Sequence, residues 1–315
     1  MTSTLSHVIL ADGSKIPRIG LGTWLSKPGD VKQAVKSAID AGYRHIDGAY
    51  VYRNEKEIGD ALKEKMDEGI IERKDIFITT KLWGTFHRPE NVEHALRLSL
   101  KALQLDYVDL YLMHSPMALQ YIDDATVYPI KDGKALLDNT PYMDTWKAME
   151  SLVNNGLAKS IGVSNFNTSQ LEKILDKTTV PCVMNQVESH PYLDQRSLLD
   201  FCKSRNVAVT AFSPLGSSSE RPWASNKDPI LREDPLVKEM ASSYGCTPAQ
   251  LLIAYNLSQG IICIPKSVTP SRIQENLKVD QIQISDENLK ALDGLARAYR
   301  ACPWSYFESH EHYPF

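Results

Sequence analysis

Short stretches rich in β-branched and aromatic residues alternate with amphipathic stretches along most of the chain. The former predict eight β-strands, at residues 18–22, 44–46, 76–80, 107–113, 160–164, 183–187, 207–212 and 261–264. The latter predict seven helices, at 30–41, 55–68, 89–103, 142–155, 168–176, 195–205 and 234–244. Eight strand–helix units in ~250 residues are typical of a closed parallel barrel. The pattern therefore predicts an α/β fold, a single (β/α)8 TIM barrel.

Several segments lie outside this alternation. Residues 7–11 and 14–17 flank Asp12-Gly13, a dipeptide typical of two-residue turns, and predict an N-terminal β-hairpin. The connections at 115–141 and 214–234 and the tail after Tyr299 are unusually long. Long loops on a rigid scaffold are often lids or binding loops, so these C-terminal loops are candidates for substrate contact.

A doubly wound Rossmann sheet is the competing architecture, and the glycine pattern argues against it. That fold usually carries G-x-G-x-x-G after its first strand. Here Gly20-Leu21-Gly22 supplies only two glycines, and Trp24 stands where the chain would enter a tight helix turn. No linker, repeat or low-complexity tract divides the chain, so residues 1–315 are expected to form one domain.

Charge and cysteine content limit the classes of partner. Lys plus Arg number 35 and Asp plus Glu 39, a net charge of -4, which gives no overall attraction for nucleic acid or an anionic membrane. No signal peptide or bilayer-spanning apolar stretch is visible. The five cysteines are scattered without a C-x-x-C pair, a pattern that favours reduced thiols. We expect a cytoplasmic protein with no nucleic-acid or membrane partner. The cysteines expected to be reduced are Cys182, Cys202, Cys246, Cys263 and Cys302.

Polar or aromatic residues follow nearly every predicted strand, at the face where barrel enzymes place their active sites. Asp47 and Tyr52 follow the second strand, Lys81 the third and His114 the fourth. A free tyrosine has a pKa of about 10, and an adjacent ammonium would stabilise its phenolate and lower that pKa. Asp47 would hold Lys81, and His114 could hydrogen-bond a carbonyl. The set predicts protonation of an oxygen while hydride reaches the attached carbon.

Each of these residues also has a structural interpretation. A Tyr–Lys–Asp trio is usually a surface ion pair beside a half-buried ring, and a lone histidine is usually a core residue. The His310-Glu311-His312 tail could suggest a metal site, but two histidines without further ligands are more often solvated, so we expect no metal. Joint placement on successive strand ends favours the catalytic interpretation.

Six motifs in chain order resemble the aldo-keto reductase superfamily, in its aldose reductase and hydroxysteroid dehydrogenase-like branch. They lie at residues 47–55, 80–83, 112–116, 162–166, 185–188 and 264–269, and the ending 312–315 is also similar. The resemblance implies that Tyr52 is the general acid, that Lys81 and Asp47 tune it, and that His114 orients the carbonyl. It implies NADPH/NADP+ as cofactor, with Lys266, Ser267 and Arg272 on its 2′-phosphate, a role that suits two cations and a hydroxyl.

The resemblance also implies the remaining binding residues. Phe212 would stack on the nicotinamide, and the loop 216–223 would close over the pyrophosphate. The cofactor-binding set is Thr23, Trp24, Asp47, Ser164, Asn165, Gln186, Phe212, Ser213, Leu215, Ser217, Lys266, Ser267, Arg272, Glu275 and Asn276. The substrate-binding set is Trp24, Val51, Trp83, His114, Trp223 and Trp304.

Three positions depart from the pattern of close relatives. Phe212 replaces a tyrosine, Tyr50 stands where many relatives have histidine, and Ser115 replaces the tryptophan of aldose reductases. A serine there should widen the pocket, which makes bulky ketones such as ketosteroids plausible substrates. His114 is retained, which disfavours the steroid double-bond reduction of the branch that carries glutamate there.

The first hypothesis is therefore an enzyme, a monomer that reduces aldehydes and ketones to alcohols with a small-molecule carbonyl substrate. The second is an NADPH-binding sensor or structural protein on the same fold, which need not keep all four catalytic residues. The third is a Schiff-base aldolase that uses Lys81, an interpretation that leaves Lys266, Ser267 and Arg272 without a role.

Overall fold

Eight parallel strands form the centre of the protein, described here by a computed structural model for residues 6–216 and 221–315. They follow one another around the sheet in chain order. These strands are β3 (Leu21–Gly22), β4 (His45–Asp47), β5 (Phe77–Leu82), β6 (Val108–Met113), β9 (Ala158–Ser164), β10 (Cys182–Glu188), β11 (Ala208–Phe212) and β12 (Ile262–Cys263). The four remaining strands form two hairpins, β1 (His7–Ile9) with β2 (Lys15–Pro17) and β7 (Ile130–Lys131) with β8 (Lys134–Ala135).

The first and last barrel strands meet and close the sheet. Parallel bridges join Ile19 to Cys263 and Gly22 to Lys266. A Cβ atom at Gly22 would lie 2.6 Å from the carbonyl oxygen of Ile264, so only glycine permits this close approach. The (β/α)8 barrel predicted from the sequence is confirmed, and Gly22 serves the close packing of its first and last strands.

Ten helices surround the barrel in the described residues, three more than the sequence pattern predicted. They are α1 (Asp30–Ala41), α2 (Glu55–Asp67), α3 (Pro89–Leu103), α4 (Tyr142–Asn154), α5 (Thr168–Leu175), α6 (Arg196–Ser204), α7 (Pro235–Ser243), α8 (Pro248–Ser258), α9 (Pro270–Leu277) and α10 (Asp286–Asp293). Helix α8 has no amphipathic period in the sequence, because it is buried on nearly every side. Its capping box from Thr247 to Gln250, with proline at the first turn, was the available signal.

The N-terminal hairpin covers the amino end of the barrel. Leu10 and Ile16 are buried there among Phe77, Leu110 and neighbouring barrel side chains. Its turn differs from the predicted two-residue form: the Leu10 amide donates to Ser14 at 2.9 Å, and Gly13 adopts φ +85°. This is a three-residue turn, and the glycine supplies its left-handed residue.

The opposite, carboxyl end of the barrel carries the long loops that the sequence analysis identified. The connection from β6 to α4 contains the β7–β8 hairpin. The C-terminal tail packs beside it, since the turn Ser305–Phe307 contacts β8. No helix in the two described ranges has the length and apolarity to cross a bilayer.

Candidate active site

A cavity of about 1080 Å³ opens at the carboxyl end of the barrel strands. Its base is formed by residues at or just after strand ends, including Asp47, Tyr52 and His114. One side is polar and reaches the start of α9. The other side is aromatic and is built by the long loops and the tail.

A buried ion pair lies beneath the cavity floor. Lys81 on β5 donates from Nζ to Asp47 Oδ1 at 2.5 Å and to the Gly48 carbonyl at 2.8 Å. The other oxygen of Asp47 accepts from Gln186 Nε2 at 2.8 Å. Lys81 is fully buried and does not line the cavity. An aldolase Lys81 would have to reach a substrate carbonyl, so this position argues against the Schiff-base hypothesis.

Tyr52 and His114 face each other above this pair. Tyr52 ends the short turn Tyr50–Tyr52 after β4, and its ring centroid lies 5.1 Å from Lys81 Nζ. His114 follows β6, and its ring meets that of Tyr52 edge to face at 5.8 Å. Both side chains line the cavity. The structure therefore brings together all four residues that the sequence singled out.

Burial determines the protonation of this group. It raises the pKa of Tyr52 well above 10, and the negative charge of Asp47 adds to that shift. The pKa of Tyr52 in the protein alone is therefore raised, and not lowered as expected from Lys81, because loss of solvent is the largest effect. Burial likewise lowers the pKa of His114 well below 6.5, with Lys81 adding to that effect. At neutral pH the site presents a protonated phenol and a neutral imidazole.

Burial also lowers the pKa of Lys81, while the adjacent Asp47 carboxylate opposes that shift. The ion pair and the Gly48 carbonyl hold the lysine nitrogen in one position below the phenol ring. The geometry thus places a neutral proton donor on the cavity surface and a cation behind it.

The polar side of the cavity has an unused hydrogen-bond acceptor. Asn165, in the left-handed conformation at φ +61°, donates from Nδ2 to the His114 carbonyl at 2.9 Å. Its Oδ1 is buried and has no hydrogen-bond partner among the residues that the structure describes. An unpaired buried amide oxygen costs free energy unless a ligand donates to it. Ser164 lies behind Asn165 and not on the cavity wall, because its hydroxyl donates to the Gln186 carbonyl at 2.8 Å.

Most other predicted cofactor residues do line the cavity. Thr23 donates from its hydroxyl to the Asp47 carbonyl at 2.8 Å, which ties the first barrel loop to the catalytic strand. Ser217 lies outside the described residues. The remaining residues of the predicted set on the wall are Trp24, Gln186, Phe212, Ser213, Leu215, Lys266, Ser267, Arg272, Glu275 and Asn276.

Two cations stand at the far end of the polar side. Lys266 follows β12 and Arg272 lies in the first turns of α9. Within residues 6–216 and 221–315, neither forms an ion pair with a carboxylate. The side chain of Ser267, between them, forms hydrogen bonds with the backbone of Thr269. Unpaired cations beside a helix N-terminus suit a phosphate group.

The aromatic side contains the predicted tryptophans. Trp83 packs against Trp304 at 5.7 Å and against His114 at 5.3 Å between ring centroids. Trp24 stacks on Trp223 at 5.8 Å, and Trp223 donates to the Ala301 carbonyl at 2.7 Å. Val51 also lines the cavity. Sequence reasoning missed the other wall residues here, whose only signal was their place in long loops: Tyr128, Pro129, Ile130, Ala135, Cys302, Pro303, Tyr306 and Phe307.

Ser115 does not itself line the cavity, and the wider pocket expected from this serine stays a prediction. Ser115 is buried. Its hydroxyl accepts from the Met117 amide at 3.3 Å. The loop backbone, and not the cavity, therefore receives this side chain.

A buried carboxylate holds the tail that carries Trp304. Glu188, the last residue of β10, accepts from the amides of Ala301 and Cys302 at 2.7 and 2.9 Å. His190 lies 2.7 Å from the same carboxylate. Burial raises the pKa of Glu188, but the hydrogen bonds from His190 and the tail amides outweigh it and lower the pKa. The carboxylate therefore stays ionised and keeps the tail on the barrel.

The tail histidines have structural positions. His310 is buried, and its Nε2 lies 3.1 Å from the Ala118 carbonyl and 3.2 Å from that of Asp138. His312 packs edge to face on Tyr142 at 5.0 Å. No group of three or more potential metal ligands occurs within the described ranges.

Comparison with known proteins gives consistent matches along the chain. Residues 18–297 match the sequence profile of the Aldo/keto reductase family. Aldo-keto reductase family 1 member A1-A of Danio rerio is 50% identical over 301 residues, 95% of this chain and 91% of that protein. Estradiol 17 beta-dehydrogenase 5 of Mus musculus is 46% identical, covering 100% and 99%. The solved aldose reductase of Schistosoma japonicum has a TM-score of 0.92 at 43% identity, covering 98% of each chain.

Proposed function

The chain belongs to the aldo/keto reductase family, and from that premise we propose that it reduces aldehydes and ketones to alcohols with NADPH, using Tyr52 as the proton donor. Membership of the family makes it an oxidoreductase that acts on carbonyl groups. The observation that carries the choice of proton donor is the phenol of Tyr52 on the cavity surface, with Lys81 fixed behind it.

The choice of NADPH over NADH rests on the polar side of the cavity. Lys266 and Arg272 are cations without a carboxylate partner in the described residues, and they suit the 2′-phosphate that NADH lacks. The unpaired Oδ1 of Asn165 suits the amide hydrogens of a nicotinamide carboxamide. When bound, the cofactor supplies the hydride. These donors and acceptors fit it without rearrangement of the ion pair.

In the proposed mechanism the protein controls one proton. The substrate carbonyl oxygen accepts a hydrogen bond from the Tyr52 hydroxyl, and the neutral His114 imidazole orients it. As negative charge develops on that oxygen, the Tyr52 proton moves to it. Lys81 stabilises the phenolate left behind, and Asp47 holds the ammonium in place. Burial keeps the proton on the phenol at neutral pH, and Lys81 reduces the cost of giving that proton up as charge develops on the substrate oxygen.

We propose apolar carbonyl compounds as substrates, with bulky ketones such as ketosteroids within reach. The support is the aromatic wall of Trp83, Tyr128 and Trp304 and the size of the cavity. We further propose a monomer, because one chain supplies the whole site. A cytoplasmic location is proposed because none of the five cysteines forms a disulfide.

The test is NADPH oxidation with para-nitrobenzaldehyde by the wild type and Tyr52→Phe. Removal of the proton donor should reduce turnover by about 10²- to 10⁴-fold. NADPH affinity, measured by quenching of protein fluorescence, should change little. Tyr111→Phe is the matched control, because the Tyr111 hydroxyl is buried and forms no hydrogen bond within the described part of the chain. Tight NADPH binding without turnover on a carbonyl panel would instead favour the sensor or structural role.

A further inference from the structure

The loop between β6 and α4 forms the outer edge, or rim, of the aromatic side of the cavity. Tyr128 and Ile130 from this loop line the cavity and are about half exposed. Trp83 donates from Nε1 to the Val127 carbonyl at 2.5 Å, and the Tyr128 ring meets Trp83 edge to face at 5.4 Å. The loop therefore supplies the outer part of the aromatic wall.

The turn that carries Tyr52 also holds this loop. The Tyr50 hydroxyl donates to the Asp124 carbonyl at 2.5 Å. Arg53 donates to the same carbonyl at 2.9 Å and to that of Ala125 at 2.5 Å. The Arg53 guanidinium lies 4.6 Å from the centroid of the Tyr50 ring. Tyr50 and Arg53, which flank Tyr52 in the catalytic turn (residues 50–53), thus bind two consecutive carbonyls of the loop.

Other contacts fix the Tyr50 ring and the Asp124 side chain. The Tyr50 ring packs edge to face on Phe86 at 5.1 Å. The Asp124 carboxylate lies 2.8 Å from His94 Nε2 and accepts from the Tyr121 hydroxyl at 2.9 Å. The side chain of Asp124 is therefore held by α3 and by its own loop, and its backbone carbonyl is held by Tyr50 and Arg53.

We propose that Tyr50 is a positioning residue that sets specificity for bulky carbonyl substrates by tethering residues 121–130 to the catalytic turn. The inference rests on the proposed reductase function and deepens it. A small aldehyde reaches Tyr52 and His114 at the cavity base without contacting Tyr128. A bulky ketone extends to the rim, so its binding depends on the position of that loop. A histidine at this position would not match the tether, because a phenol hydroxyl reaches further from the backbone than either imidazole nitrogen.

The first experiment compares KM and kcat for para-nitrobenzaldehyde and androstenedione in the wild type and Tyr50→Phe. The KM for androstenedione should rise about 3- to 10-fold, the effect of one lost hydrogen bond. If androstenedione is not turned over, its inhibition constant, measured against reduction of the aldehyde, should rise by the same factor. Both constants for para-nitrobenzaldehyde should stay within about twofold, since that substrate makes no contact with the rim. Arg53→Met should give the same pattern.

Hydrogen–deuterium exchange tests the tether without turnover. Amides in residues 121–130 should exchange faster in Tyr50→Phe than in the wild type, while β5 and β6 are unchanged. Tyr255→Phe is the matched control, because its hydroxyl bonds Asp293 away from the cavity. Unchanged exchange at 121–130 would overturn the tether, and equal changes in KM for both substrates would overturn the specificity role. A wild type inactive on para-nitrobenzaldehyde would contradict the reductase function and leave the exchange result to decide the tether.

Discussion

The two sides of the cavity are built differently. At the base and on the polar side most functional groups lie on or next to barrel strands, and at the base buried hydrogen bonds such as that from Lys81 to Asp47 fix their atoms. On the aromatic side they lie on loops and the tail, and Tyr128 and Tyr306 are 52% and 67% exposed. There the backbone is tied at a few points, by Glu188 to the tail and by Tyr50 to the rim.

This difference places the residues of the catalytic reaction and the residues that select the substrate on structurally different parts of the protein. Residues that move a proton must keep their geometry to a fraction of an ångström, which a strand end provides. Residues that select a substrate need surface and shape, which a loop held at two or three points provides and can change by substitution. We therefore expect substitutions on the two sides to produce different kinds of damage.

The largest effect is expected from Lys81→Met. The variant leaves the Asp47 carboxylate buried and unpaired, which should lower the free energy of unfolding by about 3–5 kcal/mol. Turnover should also collapse, because no cation stabilises the Tyr52 phenolate. Denaturant unfolding and NADPH oxidation measure the two losses.

Two further variants make that prediction sharper. Lys56→Met removes an exposed helix-surface ion pair with Asp60 and should cost at most about 1 kcal/mol. The double variant Lys81→Met/Asp47→Leu should regain part of the lost stability without regaining turnover, since no buried charge remains. A double variant as unstable as Lys81→Met would show that the cost arises from packing and not from charge.

A smaller effect, confined to cofactor choice, is expected from Arg272→Leu. Loss of one charge-assisted contact should weaken NADPH binding by about 10- to 100-fold and leave NADH binding almost unchanged. Fluorescence titration with both nucleotides measures the ratio. Arg97→Leu makes the same charge change on the exposed face of α3, where Arg97 pairs with Glu93, and should affect neither. Equal weakening of NADPH and NADH would place Arg272 away from the 2′-phosphate.

The same division explains what could be predicted from the sequence. Asp47, Lys81 and His114 follow strands that show a clear apolar pattern, so the sequence alone places them on one face of the barrel. Tyr128 and Tyr306 follow no periodic element, and only the fold brings their loops together. The pKa of Tyr52 could not be predicted either, because its largest determinant is burial, which the sequence does not give.

The pH dependence of stability can show whether the loop-built or the strand-built part of the protein is more sensitive to acid. The histidine concerned lies near the β6–α4 loop and the C-terminal tail. His87 is buried, and neither of its ring nitrogens has a partner in the described residues. Burial lowers its pKa to about 3. His310 and His312 add to that shift, and Asp138 opposes it. An unfolded histidine titrates near pH 6.5. Between these values the unfolded chain binds a proton that the folded chain does not, so stability falls as pH falls.

His87 alone should cost about 2 kcal/mol of stability on going from pH 7 to pH 5. In His87→Leu that loss should disappear, while stability at pH 7 should stay within about 1 kcal/mol, because the lost imidazole made no hydrogen bond. Urea unfolding across this pH range measures both, and His7→Leu, on the exposed strand β1, should follow the wild-type curve. If the stability of His87→Leu still falls with pH as in the wild type, the acid-sensitive group must lie in the barrel instead. There, burial lowers the pKa of His45 on β4 to about 4, and the strand-built side would then be the first to lose stability in acid.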